Sequence, residues 1–205
     1  MIQGSCPSCG GEVKFVSKAS LTAVCPFCAS LLMRKDLDLE LIGKVAQLQE
    51  DGTPFQLGTR GTYKGKPFAV IGRIQFDHGS GYWNEWYLNV DAWIGEAQGL
   101  YVFTKQTPSL GSLPAWDGLE AGASVTVNNE NFQVKELQEV RCVGGEGELP
   151  FPFESGSEST IADLATSGTR FATIDYSETP PLLFMGAYAG FDELQLTNLR
   201  RVDGW

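Results

Sequence analysis

The chain has 205 residues, 25 acidic against 15 basic, for a net charge of −10 with 42% hydrophobic residues. That suffices for one ordinary domain or two small ones with packed cores, and it argues against an unassisted grip on nucleic acid, whose phosphates need a cationic face. No segment reaches the roughly 20 apolar residues of a membrane span, and MIQGSCPSCG lacks a basic and apolar leader, so a cytoplasmic protein without membrane insertion is expected.

The first elements are built on four cysteines, Cys6-Pro-Ser-Cys9 and Cys25-Pro-Phe-Cys28. A C-x2-C turn aims two sulfurs and nearby amides at one point, and two such turns complete a tetrahedral four-thiolate shell. Between them, residues 12–16 and 21–24 read as short strands flanking the polar turn 17–20, with Gly10-Gly11 relaxing the chain after the first knuckle. The expected cofactor is a structural Zn2+ on Cys6, Cys9, Cys25 and Cys28, closed to an activated water and folding a segment too short for its own core. A pair of disulfides needs an oxidising compartment, and a thioredoxin-type pair needs a βαβ setting and no second copy. A rubredoxin-type iron would use the same four sulfurs. Cys142, which alternates with Val140, reads as a small buried hydrophobe.

Residues 36–52 read as a linker leading into a first strand near 44–49. Leu37, Leu39 and Leu41 alternate as in a strand, while Leu37, Leu41, Val45 and Leu48 share a helical face. A β module over 53–120 follows. Its long strand alternates Phe68, Val70, Gly72, Ile74 and Phe76 with more polar neighbours, and 79–81 reverse the chain. The next strand, 82–90, sets Tyr82, Trp86, Leu88 and Val90 on one face and Trp83, Glu85, Tyr87 and Asn89 on the other; a strand at 99–104 closes the meander.

Residues 121–205 read as a diverged copy, with Lys66-Pro67-Phe68-Ala69-Val70 aligned to Glu130-Asn131-Phe132-Gln133-Val134 at an offset of 64. The turns Lys64-Gly65 and Asn128-Asn129 precede them, Gly144–Gly147 mirrors 79–81 as a reversal, and 99–104 is matched to 169–174. A strand at 182–186 and a helical turn at 190–194 complete the chain. The fold class is mainly β: a zinc ribbon over 1–35, then two tandem SH3-like barrel or meander modules.

No catalytic set converges. His78 is the sole histidine, and in Asp77-His78 adjacent strand residues point to opposite faces at the rim of a turn. Gly79-Ser80-Gly81 is not a nucleophile elbow, and Gly144-Gly145-Glu146-Gly147 lacks the lysine of a phosphate loop. The aromatic cluster is more informative: Trp83, Trp86 and Trp93 lie beside Glu85, either packed between the modules or exposed as partner anchors. Residues 106–199 hold three basic against fourteen acidic side chains, so this half would attract a basic partner.

The run Gly58-Thr59-Arg60-Gly61, then Phe68–Ile74, Trp83-Asn84-Glu85-Trp86-Tyr87-Leu88 and Trp93–Gly99 resembles a bacterial domain-of-unknown-function family, the one numbered four-one-seven-eight, often preceded by a C-x2-C zinc ribbon. The resemblance spans nearly the whole chain and carries no catalytic residue over. It implies a bacterial cytosolic accessory protein, in the company of phage-shock-type coiled-coil proteins, small membrane proteins and polyamine-synthesis-like enzymes.

Three readings follow. One is a non-enzymatic adaptor that binds a protein partner at a membrane-stress assembly, with Trp83, Glu85, Trp86 and Trp93 as contact residues. Another is an enzyme or subunit acting on a polyamine or other cationic small molecule, with Glu85, Asp91 and Trp86 as an aromatic box. The third, binding of nucleic acid through the ribbon, runs against the net charge.

Overall fold

In the computed structural model, which describes residues 2–35 and 38–201, the chain starts with a ribbon of five short strands. These are β1 (Ile2–Ser5), β2 (Glu12–Phe15), β3 (Thr22–Val24), β4 (Ser30–Lys35) and β5 (Asp38–Lys44). β1 pairs with β2, while β3, β4 and β5 form an antiparallel run, so the two strands flanking the polar turn belong to different sheets. The expected linker strand at 44–49 is absent. β5 ends at Lys44, and its Leu39 packs on the ribbon core of Val13, Phe15, Ala23 and Leu32, so this strand is part of the ribbon. Leu37 lies outside the described residues, as does Trp205.

The remainder is two copies of one hairpin-and-meander. The first holds β6 (Arg60–Tyr63), β7 (Lys66–Asp77), β8 (Tyr82–Leu88), β9 (Ala92–Ala97) and β10 (Leu100–Gln106). The second holds β11 (Ser124–Val127), β12 (Glu130–Leu149), β13 (Glu158–Ala165), β14 (Arg170–Asp175) and β15 (Leu182–Ala189). β6 and β11 begin 64 residues apart, as do β7 and β12. The turns between them match as well: Lys64 and Gly65 both have positive φ, and so do Asn128 and Asn129. Such two-residue turns suit the twist of a hairpin. By position, the counterpart of β10 is β15, not the 169–174 segment, which forms β14 and corresponds to the unforeseen β9.

The two halves share one sheet. β7 pairs with β12 from Asp77↔Arg141 to Gly72↔Gly147, and β10 pairs with β15 from Tyr101↔Ala189 to Gln106↔Phe184. The pairing path β7-β8-β9-β10-β15-β14-β13-β12 therefore returns to its start, an antiparallel ring of eight strands without an open edge. Asp77 and Arg141, themselves 64 residues apart, face each other at one seam and form an ion pair at 2.6 Å. Gly144–Gly147 is not a reversal: β12 runs straight through it. A Cβ on Gly145 would lie 2.8 Å from the Arg73 carbonyl, so glycine there permits close strand approach.

Each half buries its outer face on a core of its own. Phe68, Val70, Trp86, Leu88 and Ile94 are covered by Phe55 and Leu194; the matching Phe132, Val134, Leu164 and Ile174 are covered by Leu119. On the inner face, Ile74, Tyr87, Trp93, Cys142 and Leu149 pack with Phe151 and Phe184, joining the halves. Cys142 is buried as expected, and burial pushes its thiol up to about 11. Among the described residues no helix is long and apolar enough to cross a membrane.

Candidate metal centre and its supports

Both knuckles close the same way. Gly10 N–H donates to Cys6 O at 2.8 Å and Ala29 N–H to Cys25 O at 3.0 Å, while Cys6 and Cys25 donate to Gly11 O and Ser30 O, each at 2.8 Å. The residue after each second cysteine is left-handed, Gly10 at φ 75° and Ala29 at φ 56°. Ala29 bears a strain that glycine would not. Ala29→Gly is therefore expected to stabilise the loaded ribbon by about 0.5–1 kcal/mol, seen as a higher melting midpoint at saturating metal; a lower midpoint would contradict the strained-knuckle geometry.

The turns bring the four sulfurs within 4.8 Å of one another. Cys6 Sγ lies 3.8 Å from Cys28 Sγ, and Cys9 Sγ 3.7 Å from Cys25 Sγ. A tetrahedron with metal–sulfur bonds of about 2.3 Å has edges of about 3.8 Å, whereas a disulfide needs about 2.05 Å. The four thiols are free of disulfides, and the set can hold a metal ion. Ser30 draws the Cys28 thiol down, first through its hydroxyl and then through its backbone N–H. Against the pull of the Gly11 backbone, Cys9 is pushed up by the neighbouring sulfurs and by burial. The four thiols therefore lose their protons as one interacting set when a metal binds. Four protein sulfurs on one ion leave no position for a reacting water.

Glu148, on the last turn of β12, fixes the ribbon to the ring. Its carboxylate accepts from Val16 N–H at 2.6 Å and Ser17 N–H at 3.1 Å, the amides of the polar turn. β3 adds pairs at Ala23↔Glu148 and Thr22↔Leu149, and Leu21 N–H donates to Leu149 O at 2.9 Å. Nothing in the Glu-Gly-Glu spacing marked Glu148 as an anchor, since its partners lie about 130 residues away.

A second polar cluster straps residues 51–53 and the C-terminal segment onto β7 and β8. Asp51 accepts from Arg73, from Asn84 Nδ2 at 2.9 Å and from Arg200 Nη2 at 3.0 Å. Buried Glu96 accepts from Thr53 Oγ1 and from Trp86 Nε1 at 2.9 Å, and Arg73 lies 4.8 Å over the Trp86 ring. These donors and acceptors satisfy one another, which is a structural role.

The aromatic residues separate accordingly. Trp86 is 0% exposed and Trp93 6%, so neither ring is available to a partner; the ring-shaped sheet buries both faces of the meander, which a two-sided open sheet would not. Trp83 is half-buried on the inner face, where Nε1 donates to Glu85 Oε1 at 3.3 Å. The box of Glu85, Asp91 and Trp86 does not form. Trp86 faces away from Glu85, and Asp91 accepts from Tyr87 OH at 3.0 Å and from the ribbon's Ser17 Oγ at 3.4 Å. Asp77 and His78 also diverge: Asp77 is held well below the usual carboxylate range by Arg141, and His78 Nδ1 meets only exposed Ser80 Oγ, at 3.2 Å.

Residues 56–189 match the family described as a domain of unknown function, DUF4178. The chain belongs to that family. The DUF4178 span takes in β6 through β15, the whole ring, and leaves outside it the cysteine centre, Asp51 and Arg200. No curated protein and no solved structure matches the chain.

Proposed function

We propose that the chain is a non-enzymatic adaptor, a zinc-braced ribbon carried on a DUF4178 ring, which engages a protein partner through the ribbon. Zinc is favoured for a closed four-thiolate shell that braces a segment lacking its own core. The observation that carries the adaptor reading is where apolar surface remains. Among the described residues nine large hydrophobics are well exposed, and five of them, Val16, Leu21, Phe27, Leu41 and Ile42, belong to the ribbon, with Phe27 at 69%. β5 also ends its sheet, so one of its edges is free for strand addition. The partner surface thus moves from the tryptophans to the ribbon rim. The resemblance to the family directs the search to coiled-coil and small membrane proteins of bacterial membrane-stress assemblies.

Phe27→Ser combined with Leu41→Ser is expected to reduce co-purified partner about tenfold or more, with metal content and circular dichroism unchanged. Undiminished recovery from the double variant would remove the ribbon as the docking surface. Elemental analysis should return one zinc per chain; iron in its place would overturn the zinc assignment.

A further inference from the structure

Small eight-stranded rings are usually filled by side chains or hold one small ligand. The inner face here is unusual in its charge. Strand register places Glu85 opposite Ile74 and Gly95, Asp163 opposite Glu136 and Thr173, and Asp175 opposite Ile161. Gln138, Asp163, Asp175 and Tyr188 therefore share the interior with Trp83 and Glu85; exposed Glu136 lies on the same face, and beside it at the bulge exposed Lys135 donates to Gln133 Oε1 at 2.6 Å.

Glu85 lies deep among protein atoms, although part of its surface still meets solvent-sized space. Its only donor among the described residues is Trp83 Nε1, at Oε1; Oε2 has none. Asp163 is equally deep and accepts only from Thr173 Oγ1, at 2.7 Å. Burial first, then Asp163 and Asp175, pushes Glu85 up to about 8; burial first, then Glu136, pushes Asp163 up to about 6. Tyr188 is pushed up by burial and then by Asp163 and Glu136. Carboxylates on β8, β12, β13 and β14 thus repel one another, and the charges acting on Glu85 and Asp163 are all acidic among the described residues. Two buried acids without a counter-charge are costly unless something positive joins them.

An open cavity of about 1020 Å³ lies against β12, β13 and the turn after β7. Inner-face Gln138, Val140 and Ser159 line it, together with His78 and the ion-paired Asp77 and Arg141, while Glu85, Asp163 and Trp83 lie beyond this lining. One wall continues inward as His78, whose ring lies 5.6 Å from Trp83, and then Glu85. The other continues as Ser159, which donates to Asp175 at 3.2 Å. Gln138 adds a buried acceptor, Oε1, that has no donor.

We propose that the ring binds a small organic ammonium ion, entering through this cavity, with its N–H groups on Glu85 and Asp163 and its carbon skeleton on Trp83. A metal ion is the poorer fit: among the described residues only the four cysteines bring three or more ligand atoms close enough for one. Spread carboxylates at the N–H edge of an indole that stacks on Phe76 instead suit an organic cation with an apolar stem. This inference stands apart from the adaptor reading, because it uses the ring interior and not the ribbon.

The test is calorimetric titration of the metal-loaded full chain with butylammonium and with pyrrolidinium at fixed ionic strength, alongside tryptophan fluorescence. Saturable binding with a Kd of about 1 mM or tighter is expected at pH 9. Binding needs ionised carboxylates, and Glu85 gives up its proton only near pH 8, so affinity should fall about tenfold or more by pH 6. Glu85→Gln should weaken binding about tenfold or more while raising the melting temperature at pH 9, because an uncompensated buried charge is gone. Asp163→Asn should act in the same direction, and exposed Asp117→Asn should change nothing. Absence of saturation, unchanged binding by Glu85→Gln, or preference for Ca2+ over both ammonium ions would overturn the proposal.

Discussion

Gly186→Ala is expected to prevent closure of the ring. A Cβ on Gly186 would stand 1.8 Å from the Phe103 carbonyl oxygen across the β10–β15 seam, and on Gly72 it would stand 1.8 Å from Glu148 O across the β7–β12 seam. Both obstacles are backbone, so no rotamer change relieves them, and the strands must part or slip. A cost above about 4 kcal/mol follows, the range reserved for disrupted packing of the main chain. In urea, either substitution should lower the midpoint sharply and broaden the transition or split it between the halves. Gly52→Ala is the comparison: nothing lies within 4 Å of that position, and the change should stay within about 1 kcal/mol. If Gly186→Ala and Gly52→Ala unfold alike, the seams are not where the ring closes.

Stripping the metal, or replacing buried Cys25 with serine, is expected to unfold the ribbon and spare the ring. The ribbon core is small: Cys6 and Cys25 are themselves two of its six buried members, with Val13, Phe15, Ala23 and Leu32. Structural zinc sites contribute about 10–16 kcal/mol of apparent binding energy, whereas the four non-cysteine members supply at most about 1.5–3 kcal/mol each, too little on their own to offset the entropy of ordering roughly forty residues. Hydrogen exchange after treatment with a strong chelator should show residues 2–44 losing protection while β7–β10 and β12–β15 keep theirs. Undiminished protection at Phe15 and Leu32 would mean that the sulfurs are not what folds this segment. Loss across the whole chain would mean that the ring depends on the ribbon.

Local patterns carried the parts of this structure that local chemistry controls. The two C-x2-C knuckles and the paired turns at Lys64-Gly65 and Asn128-Asn129 are readable because each is settled by a few adjacent residues. The single face expected for Phe68 to Phe76, by contrast, is broken by a bulge between Val70 and Gly72, which leaves Phe68 and Val70 in the outer core and Ile74 and Phe76 on the inner face. The faces of β8 were equally plain: Trp86 and Leu88 fall in one core, Trp83 and Glu85 on the other side. What escaped depends on partners far away in the chain. Gly144 to Gly147 looks like a turn because glycine usually means one; here it lies within β12, where backbone comes close at Arg73 and Ala46. The burial of Trp93 follows from Phe151 stacking on it at 5.7 Å, and Asp51 gains its importance from Arg73 and Arg200. None of these pairings leaves a trace in spacing.

β12 serves two masters along one uninterrupted backbone. Its stretch from Arg141 to Gly147 zips up one seam, and Glu148 and Leu149 then clasp the polar turn and β3. A tug on the ribbon is thus delivered lengthwise into β12, at right angles to the hydrogen bonds that tie it to β7. Bonds loaded in that direction share the strain and must rupture together, so the ribbon is a handle by which a bound protein could pull without peeling the ring apart.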